Sequence, residues 1–388
     1  MSAHTDVVVI GGGIIGLSIA REAARAGLSA RLLETRRPGG EASGAAAGML
    51  MPHVEAEHPG PLQDLGARSY ELYGGFVEEI REESGVDPGF ARRGTIQPAR
   101  SAEEASALEA RGAILRAAAL RFERLNGSEA RRLEPGLTDR IEGALFYPDD
   151  ASLDCTLLMR GLHLAAARAG VQVHAGEPAT GLTVERGRVV GVEAGGVRYG
   201  AATVVVAAGA WSGAIGGGGL RGPSTHPVRG QILCLDPVDS PPHHILYTGS
   251  HYLVRRGDGR ILAGSTMERV GFDARVTAEG VATLSRAALS LMPALSSATF
   301  EAAWAGLRPA TDDGLPAIGP GSAPGLLYAC GHLRHGILLA PITAQIVLAL
   351  LREEPQEIDL GPFDPRRLAG GRGRTGSEGR GTDPSSGA

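Results

Sequence analysis

The pattern of apolar and polar positions along the chain begins with a strand–helix–strand unit. Residues 7–10 are four β-branched residues in succession, which is typical of a strand buried on both faces. From residue 14 to residue 26 the apolar side chains recur at helical spacing, and Gly27 ends that pattern. A second strand is predicted over residues 30–34. A β-α-β unit of this kind predicts a parallel sheet.

The remaining pattern separates into helical and strand-rich stretches. Helices are predicted over residues 62–85, 102–134, 155–169, 277–292 and 337–352. Strands are predicted over residues 172–174, 188–192 and 203–207. The short strands between residues 225 and 267 indicate an antiparallel sheet. Residues 366–388 have few apolar side chains to bury, and we expect them to be a disordered tail.

Three glycines stand at the junction of the first strand and the first helix. Gly11, Gly13 and Gly16 form the pattern G-x-G-x-x-G, which permits a tight turn, close approach of a pyrophosphate, and close packing of the helix on the strand. The helix N-terminus offers free N–H groups to phosphates. Glu34 ends the second strand, where a carboxylate can accept a hydrogen bond from a ribose hydroxyl. The sequence therefore predicts a dinucleotide-binding domain.

The residues that would surround the rest of the dinucleotide are small. Residues 39–49 are almost all Gly, Ala or Ser, and residues 207–210, which follow the predicted strand at residues 204–206, have a similar composition. Small side chains allow the backbone to approach a large ligand, which favours FAD over NAD. The alternative is that these segments only reflect the high alanine and glycine content of the whole chain, so the pattern alone leaves both cofactors open.

Composition excludes several enzyme classes. All 38 basic residues among the 388 are arginine, because the sequence contains no lysine. Without lysine no internal Schiff base can form, which excludes pyridoxal-phosphate enzymes and lysine-type aldolases. The absence of G-K-[ST] excludes P-loop hydrolases. The net charge of −5 gives no electrostatic reason to expect a nucleic acid partner.

The spacing of the cysteines and the composition of the N-terminal region bear on the cellular compartment of the protein. Cys155, Cys234 and Cys330 are far apart with no C-x-x-C pair, so we expect buried or neutral thiols in a reducing environment and no metal site. The apolar run over residues 7–20 is interrupted by four glycines, lacks a preceding basic segment and is too short to span a bilayer. We therefore expect a cytoplasmic protein with no membrane span.

Ordered motifs along the chain resemble the glycine oxidase branch of the D-amino-acid oxidase family of flavoproteins. They are residues 45–50 (AAAGML), 251–254 (HYLV), 262–267 (LAGSTM), 304–309 (WAGLRP), 313–319 (DGLPAIG) and 331–341 (GHLRHGILLAP). The resemblance covers most of residues 5–365. It implies an α/β plus α+β fold, in which an antiparallel-sheet substrate domain is inserted into a discontinuous Rossmann-like FAD-binding domain. The expected FAD-binding domain comprises residues 1–55, 145–224 and 305–365, and the expected substrate domain comprises residues 56–144 and 225–304.

The resemblance also implies which side chains bind the substrate. Arg308 matches the arginine that binds the substrate carboxylate, a role suited to a planar guanidinium. Tyr252 matches a tyrosine that closes over the substrate, Arg334 matches a second arginine of the pocket, and Met267 matches a methionine near the substrate α-carbon. The alternatives are a solvated surface charge for any arginine, a flavin contact or ion pair for Arg334, and a core position for Tyr252 or Met267.

Non-covalent FAD is the cofactor that the resemblance implies, because no cysteine follows shortly after Arg308, where relatives with covalent flavin have one. The residues predicted to bind it are Gly11, Gly13, Ile14, Ile15, Gly16, Glu34, Thr35, Ala42, Ser43, Ala47, Gly48, Met49, Ala179, His332, Leu333, Arg334, His335, Gly336, Ile337 and Leu338. His335 departs from the asparagine that is usual in the family, which leaves the local hydrogen bonding to the flavin open.

The activity implied by the resemblance is oxidative deamination of glycine, related small amines or D-amino acids. A hydride passes from the α-carbon to the flavin, oxygen is the acceptor, and the products are a 2-oxo acid, ammonia and hydrogen peroxide. Glycine imine would supply thiamine thiazole synthesis, with hand-off to a thiazole synthase, and a homo-oligomer is expected by analogy.

Four alternatives remain at this point. They are a broader D-amino-acid oxidase, a quinone-linked dehydrogenase, an NAD-dependent dehydrogenase and a non-catalytic flavin-containing binding protein. A site of the sarcosine oxidase type is disfavoured, because those enzymes place a lysine over the flavin and this chain has none.

Overall fold

The computed structural model describes residues 5–54 and 60–368. Its strands, in chain order, are β1 (Thr5–Ile10), β2 (Ala30–Glu34), β3 (Met49–Leu50), β4 (Thr95–Ala99), β5 (Glu123–Asn126), β6 (Gly143–Tyr147), β7 (Ala151–Ser152), β8 (Gln172–Ala175), β9 (Ala179–Glu185), β10 (Arg188–Ala194), β11 (Val197–Val206), β12 (His226–Leu235), β13 (Ile245–Tyr247), β14 (Tyr252–Arg255), β15 (Ile261–Gly264), β16 (Phe300–Ala310), β17 (Ala317–Pro320) and β18 (Leu326–Cys330).

The helices connect these strands or, in the case of the last one, follow them. They are α1 (Ile14–Arg25), α2 (Ala42–Ala45), α3 (Pro61–Ser84), α4 (Ala102–Ala117), α5 (Gly127–Leu133), α6 (Cys155–Arg168), α7 (Ala278–Leu291) and α8 (Ala340–Leu351). Short 3₁₀ helices cover Gly209–Ala214, Pro293–Ser297, Gly361–Phe363 and Pro365–Leu368.

The first large sheet has a parallel centre. Its order is β17-β18-β11-β1-β2-β8, and β1 pairs in parallel with both β2 and β11. Because the strands run in the same direction, Ile10, Glu34 and Val206 end at one edge of this sheet. In an open α/β sheet the crevice beyond the carboxyl ends of the strands is where ligands bind.

Each face of the first sheet is covered by its own core. On one face α1, α3, α6 and α8 pack around buried Leu17, Tyr73, Leu162 and Val347. On the other face β9 and β10 continue antiparallel from β11 and enclose Val8, Val204 and Tyr328. The central strands are therefore buried on both sides, as the run of β-branched residues in β1 predicted.

The second large sheet brings together two distant segments of the chain. Its order is β16-β12-β15-β14-β13-β4-β6-β5, so strands from residues 95–147 meet strands from residues 226–310. Its pairs are antiparallel apart from β13 and β4, which run in parallel where the two segments join. Helices α5 and α7 cover one face around Leu246 and Leu284. The other face carries Tyr252 and Trp304 toward the first sheet.

The prediction of one helix over residues 102–134 was wrong. Helix α4 ends at Ala117, strand β5 follows, and the separate helix α5 begins at Gly127. Strand β5 is largely exposed and polar, with no alternation in its sequence, and its conformation is set by pairing with β6. The helix predicted to begin at residue 337 begins at Ala340.

The domain boundaries stay a prediction. Two of them, residues 145 and 305, fall within strands β6 and β16 of the second sheet. In the predicted tail, Leu368 is buried and Arg367 forms an ion pair with Asp313 at 2.6 Å. Residues 369–388 lie outside the described residues. Across the described ranges, no helix is both long and apolar enough to cross a membrane.

Candidate active site

A cavity of about 980 Å³ lies between the carboxyl ends of the parallel strands and the second sheet. Its size is at the upper end of the range of ligand pockets. The predicted site residues that line it are Gly11, Gly13, Ile14, Ile15, Glu34, Thr35, Ala42, Ser43, Ala47, Gly48, Met49, Ala179, Tyr252, Met267, Arg308, His332, Leu333, Arg334, Gly336 and Ile337. Gly16, His335 and Leu338 are not among its lining residues.

The glycine loop is closely packed on its neighbours. Gly11 has a φ of +108°, and a Cβ there would overlap the carbonyl oxygen of Ala207, the residue that follows β11. A Cβ on Gly16 would overlap the carbonyl oxygen of Gly11. Gly16 therefore lets α1 approach the loop, while Gly11 and Gly13 face the cavity.

Two polar side chains lie beside this loop. The Glu34 carboxylate accepts hydrogen bonds from the backbone N–H of Gly12 at 2.7 Å and of Arg36 at 2.8 Å. The Ser43 hydroxyl accepts a hydrogen bond from the N–H of Ile14 at 3.0 Å, at the N-terminus of α1. A carboxylate and a hydroxyl are thus available beside the loop to bind a ribose hydroxyl and a phosphate.

The small residues after β2 pack against the second sheet. A Cβ on Gly306 would lie 2.8 Å from the Cβ of Ala45, and the indole Nε1 of Trp304 donates a hydrogen bond to the Ala45 carbonyl oxygen at 3.0 Å. Close approach of α2 to β16 thus depends on glycine and alanine at this contact. It sets one wall of the cavity.

These features fit a dinucleotide with a flavin ring. The cavity extends from Glu34 and Thr35, past Gly11 and Gly13, to Tyr252 and Arg308 on the second sheet. The glycines at the loop end leave space for phosphates that a Cβ would reduce, and small residues line the middle of the cavity. The residues present therefore fit FAD, which would supply the redox chemistry of the site.

Arg308 lies half-buried at the far end of the cavity. Its Nη2 donates a hydrogen bond to the Ser265 hydroxyl at 2.7 Å, and its Nη1 donates one to the Thr266 carbonyl oxygen at 3.1 Å. The Met267 sulfur lies 3.3 Å from Nη1, although 52% of the Met267 residue surface is exposed. The guanidinium is thus a permanent positive charge facing the cavity.

Tyr252 and Arg334 also line the same end of the cavity. Tyr252 is buried, and its ring occupies the space that a Cβ on Gly264 would fill. Arg334 is exposed, and its Nη2 donates a hydrogen bond to the Tyr247 hydroxyl at 2.9 Å. The structure therefore brings Arg308, Tyr252, Met267 and Arg334 together.

The histidines of the C-terminal motif differ in their surroundings. His332 is 2% exposed, its Nε2 lies 3.1 Å from the Thr343 hydroxyl, and burial lowers its pKa to about 3. It is therefore neutral at ordinary pH. His335 is half-buried, with its backbone N–H bonded to the His332 carbonyl. Leu338 is a core residue whose carbonyl accepts a hydrogen bond from Ser69.

The three cysteines are free and buried. Burial raises the pKa of Cys155 and of Cys330 to about 12, so both stay protonated thiols. Within residues 5–54 and 60–368, no group of three or more His, Cys, Asp or Glu side chains could bind a metal ion.

Sequence reasoning missed side chains that support the predicted ones. Ser265 bonds Arg308, and Tyr247 bonds Arg334. Ser265 lies inside the motif at residues 262–267, so its position beside Met267 was available as a cue. Tyr247 had no such cue, because it lies outside the motifs and contacts Arg334 from 87 positions away in the sequence.

The chain is similar to known flavoproteins in both sequence and structure. Residues 6–350 match the family described as FAD dependent oxidoreductase (DAO). Glycine oxidase of Geobacillus kaustophilus is 34% identical over 373 residues, which covers 95% of this chain and 99% of that protein. Its crystal structure has a TM-score of 0.89 at 33% identity, covering 94% of this chain and 99% of that one.

A second relative is longer than this chain. The bifunctional protein ThiO/ThiG of Synechocystis sp. is 34% identical over 374 residues, covering 95% of this chain but 55% of the relative. This chain therefore spans about half the length of that protein.

Proposed function

The chain belongs to the DAO family of FAD-dependent oxidoreductases, and from this premise we propose that it oxidises glycine or a similarly small amino acid at the carbon that bears the amine. The similarity to a glycine oxidase along nearly the full length of both chains supports glycine as the first substrate to test.

The chain's own residues would bind and orient the substrate. Arg308 would pair with the substrate carboxylate through parallel N–H donors. Tyr252, buried beside it, would cover the α-carbon and exclude water. Non-covalent FAD would supply the two-electron acceptor. No side chain needs to act as base if the amine enters neutral, and His332 is an unsuitable base because it is buried with a pKa of about 3.

The products follow from the balance of this oxidation. Removal of a hydride and a proton from the amino acid leaves an imine, which water hydrolyses to a 2-oxo acid and ammonia. Two electrons passed on to oxygen give hydrogen peroxide. For glycine the products are glycine imine and then glyoxylate. The ThiO/ThiG relative supports a further role for the imine in making the thiazole of thiamine, by hand-off to a thiazole synthase.

The observation on which this proposal rests is the guanidinium of Arg308 at the flavin end of the cavity. We expect purified flavin-loaded protein to release peroxide with glycine, and its visible absorbance to bleach with glycine under anaerobic conditions. In Arg308→Ala we expect the flavin to stay bound and kcat/KM to fall by at least about a hundredfold, because a charged, bidentate anchor is removed.

Arg81→Ala is the matched control, because Arg81 is an exposed arginine on α3 that pairs with Glu78, and neither residue lines the cavity. Its kinetics should equal those of the unmodified protein. If neither glycine, sarcosine nor any D-amino acid bleaches the flavin, the oxidase proposal fails and a non-catalytic flavin-binding role is favoured.

The electron acceptor is a separate question. The chain has no lysine that could lie over the flavin. Rates should therefore be measured with oxygen and with an artificial acceptor. A faster rate with oxygen supports an oxidase, whereas turnover with the artificial acceptor alone would indicate a dehydrogenase.

A further inference from the structure

The guanidinium of Arg308 is surrounded by uncharged residues that hold it in place. A Cβ on Gly230 would overlap Cζ, Nη1 and Nη2 of Arg308. Gly230 lies on β12, whose neighbour on one side is β16, the strand that bears Arg308. Only glycine at residue 230 therefore leaves room for the guanidinium to lie flat against β12.

The N–H groups of the guanidinium contact the segment that follows β15. Ser265 and Thr266 accept hydrogen bonds from Nη2 at 2.7 Å and from Nη1 at 3.1 Å. That segment is itself fixed, because the Thr266 hydroxyl accepts a hydrogen bond from the backbone N–H of Gln231 at 2.9 Å. Gln231 is 1% exposed and adjacent to Gly230. Two adjacent residues of β12 thus act on Arg308, because Gly230 leaves room for its guanidinium and Gln231 holds the segment that bonds it.

We propose that Ser265 and Gly230 are positioning residues, which fix the guanidinium of Arg308 in the orientation that receives the substrate carboxylate. This inference rests on the proposed function, because it assumes that Arg308 binds that carboxylate. If these supporting residues are changed, the guanidinium can lose the orientation that binds a carboxylate, even though its charge remains.

The Ser265 pair of variants tests the hydrogen bond. Acetate, a carboxylate without an amine, should perturb the visible spectrum of the flavin-loaded protein, and its dissociation constant can be titrated without turnover. We expect Ser265→Ala to raise that constant by about tenfold, because Nη2 loses a charge-assisted partner. Ser265→Thr keeps the hydroxyl and should restore most of the affinity.

Kinetics should separate positioning from general damage. We expect Ser265→Ala to raise the KM of glycine by a similar factor and to leave kcat within about twofold, as for loss of binding shared by ground and transition states. Gly230→Ala should raise the acetate constant by about a hundredfold with flavin still bound, since a methyl group displaces the guanidinium. Gly257→Ala is its control, because nothing lies within 4 Å of a Cβ there.

These experiments separate the positioning role of Ser265 and Gly230 from the role of Arg308 in binding the carboxylate. If Arg308→Ala abolishes acetate binding while Ser265→Ala and Gly230→Ala bind acetate as the unmodified protein does, the positioning inference is wrong and the role of Arg308 stands. If Arg308→Ala itself binds acetate normally, both are wrong. Should Gly230→Ala fail to fold, the Ser265→Ala and Ser265→Thr pair decides alone.

Discussion

His332 shows how burial of one residue sets its chemistry. The ring lies against the Thr343 hydroxyl with 2% of its surface exposed, and desolvation holds its pKa near 3 rather than the ordinary 6.5. Between those two values the unfolded chain binds a proton that the folded protein does not. Stability attributable to this residue is therefore complete above about pH 6.5 and is lost as the pH falls toward 3.

The stability of the folded protein should therefore depend on pH through His332. Lowering the pH from 7 to 5 should cost the folded protein about 2 kcal/mol through His332 alone. The His332→Gln variant removes the titrating group, so its free energy of unfolding should fall less over the same interval. Denaturant unfolding at several pH values measures both curves, and parallel curves would contradict the prediction.

At the scale of elements, the contact between α1 and the glycine loop decides whether the nucleotide end of the cavity forms. Gly16 lies in the first turn of α1, directly over the carbonyl oxygen of Gly11. The obstruction to a larger residue is backbone, which cannot rotate away as a side chain can. A methyl group at residue 16 must therefore displace α1 from β1.

We predict that Gly16→Ala lowers the free energy of unfolding by about 1–3 kcal/mol and weakens FAD binding. Gly75→Ala provides the matched change in another helix, because Gly75 is exposed on α3 with nothing within 4 Å of a Cβ. That control should gain about 0.5–1 kcal/mol, since alanine is the better helix former. Denaturant unfolding and flavin titration would measure both variants; equal effects would argue against a steric cause.

At the scale of the whole molecule, the cavity exists because the two large sheets are joined across it. Trp304 on β16 donates a hydrogen bond to the carbonyl oxygen of Ala45 on α2, and Arg256 lies 5.9 Å from the centre of the Trp304 ring. The Arg256 Nε is 3.5 Å from a carboxylate oxygen of Asp154, the N-cap of α6. Trp304 and Arg256 thus connect the second sheet to elements packed on the first.

We predict that Trp304→Phe raises the FAD dissociation constant by about fivefold, because it removes one hydrogen bond across this junction and keeps an aromatic ring. Phe300→Leu on the same strand is the control, since Phe300 is mostly exposed. Flavin fluorescence titration and thermal unfolding measure the two effects. An unchanged FAD affinity in Trp304→Phe would show that the junction does not shape the cofactor site.

A part of the site could be predicted from the sequence when the residues that form it are close together along the chain. The glycine loop and Glu34 were predictable because the strand, turn and helix that arrange them are contiguous and each has a distinct apolar period. Strand β5 was mispredicted because its polar residues adopt the extended form only by pairing with β6. Arg308 and Tyr252 were identified through the motifs that contain them, rather than from periodicity.

By itself, the sequence determined the β-α-β start, the absence of lysine chemistry and the identity of the side chains in each motif. Only the tertiary structure decided that residues 95–147 and 226–310 share one sheet, and that Gly230, Ser265 and Arg308 meet on it. The physical reason is that strand pairing and side-chain contact between distant segments depend on the packing of whole layers. The periodicity of a segment shows whether it is a helix or a strand, but it does not show which distant element will pair with it.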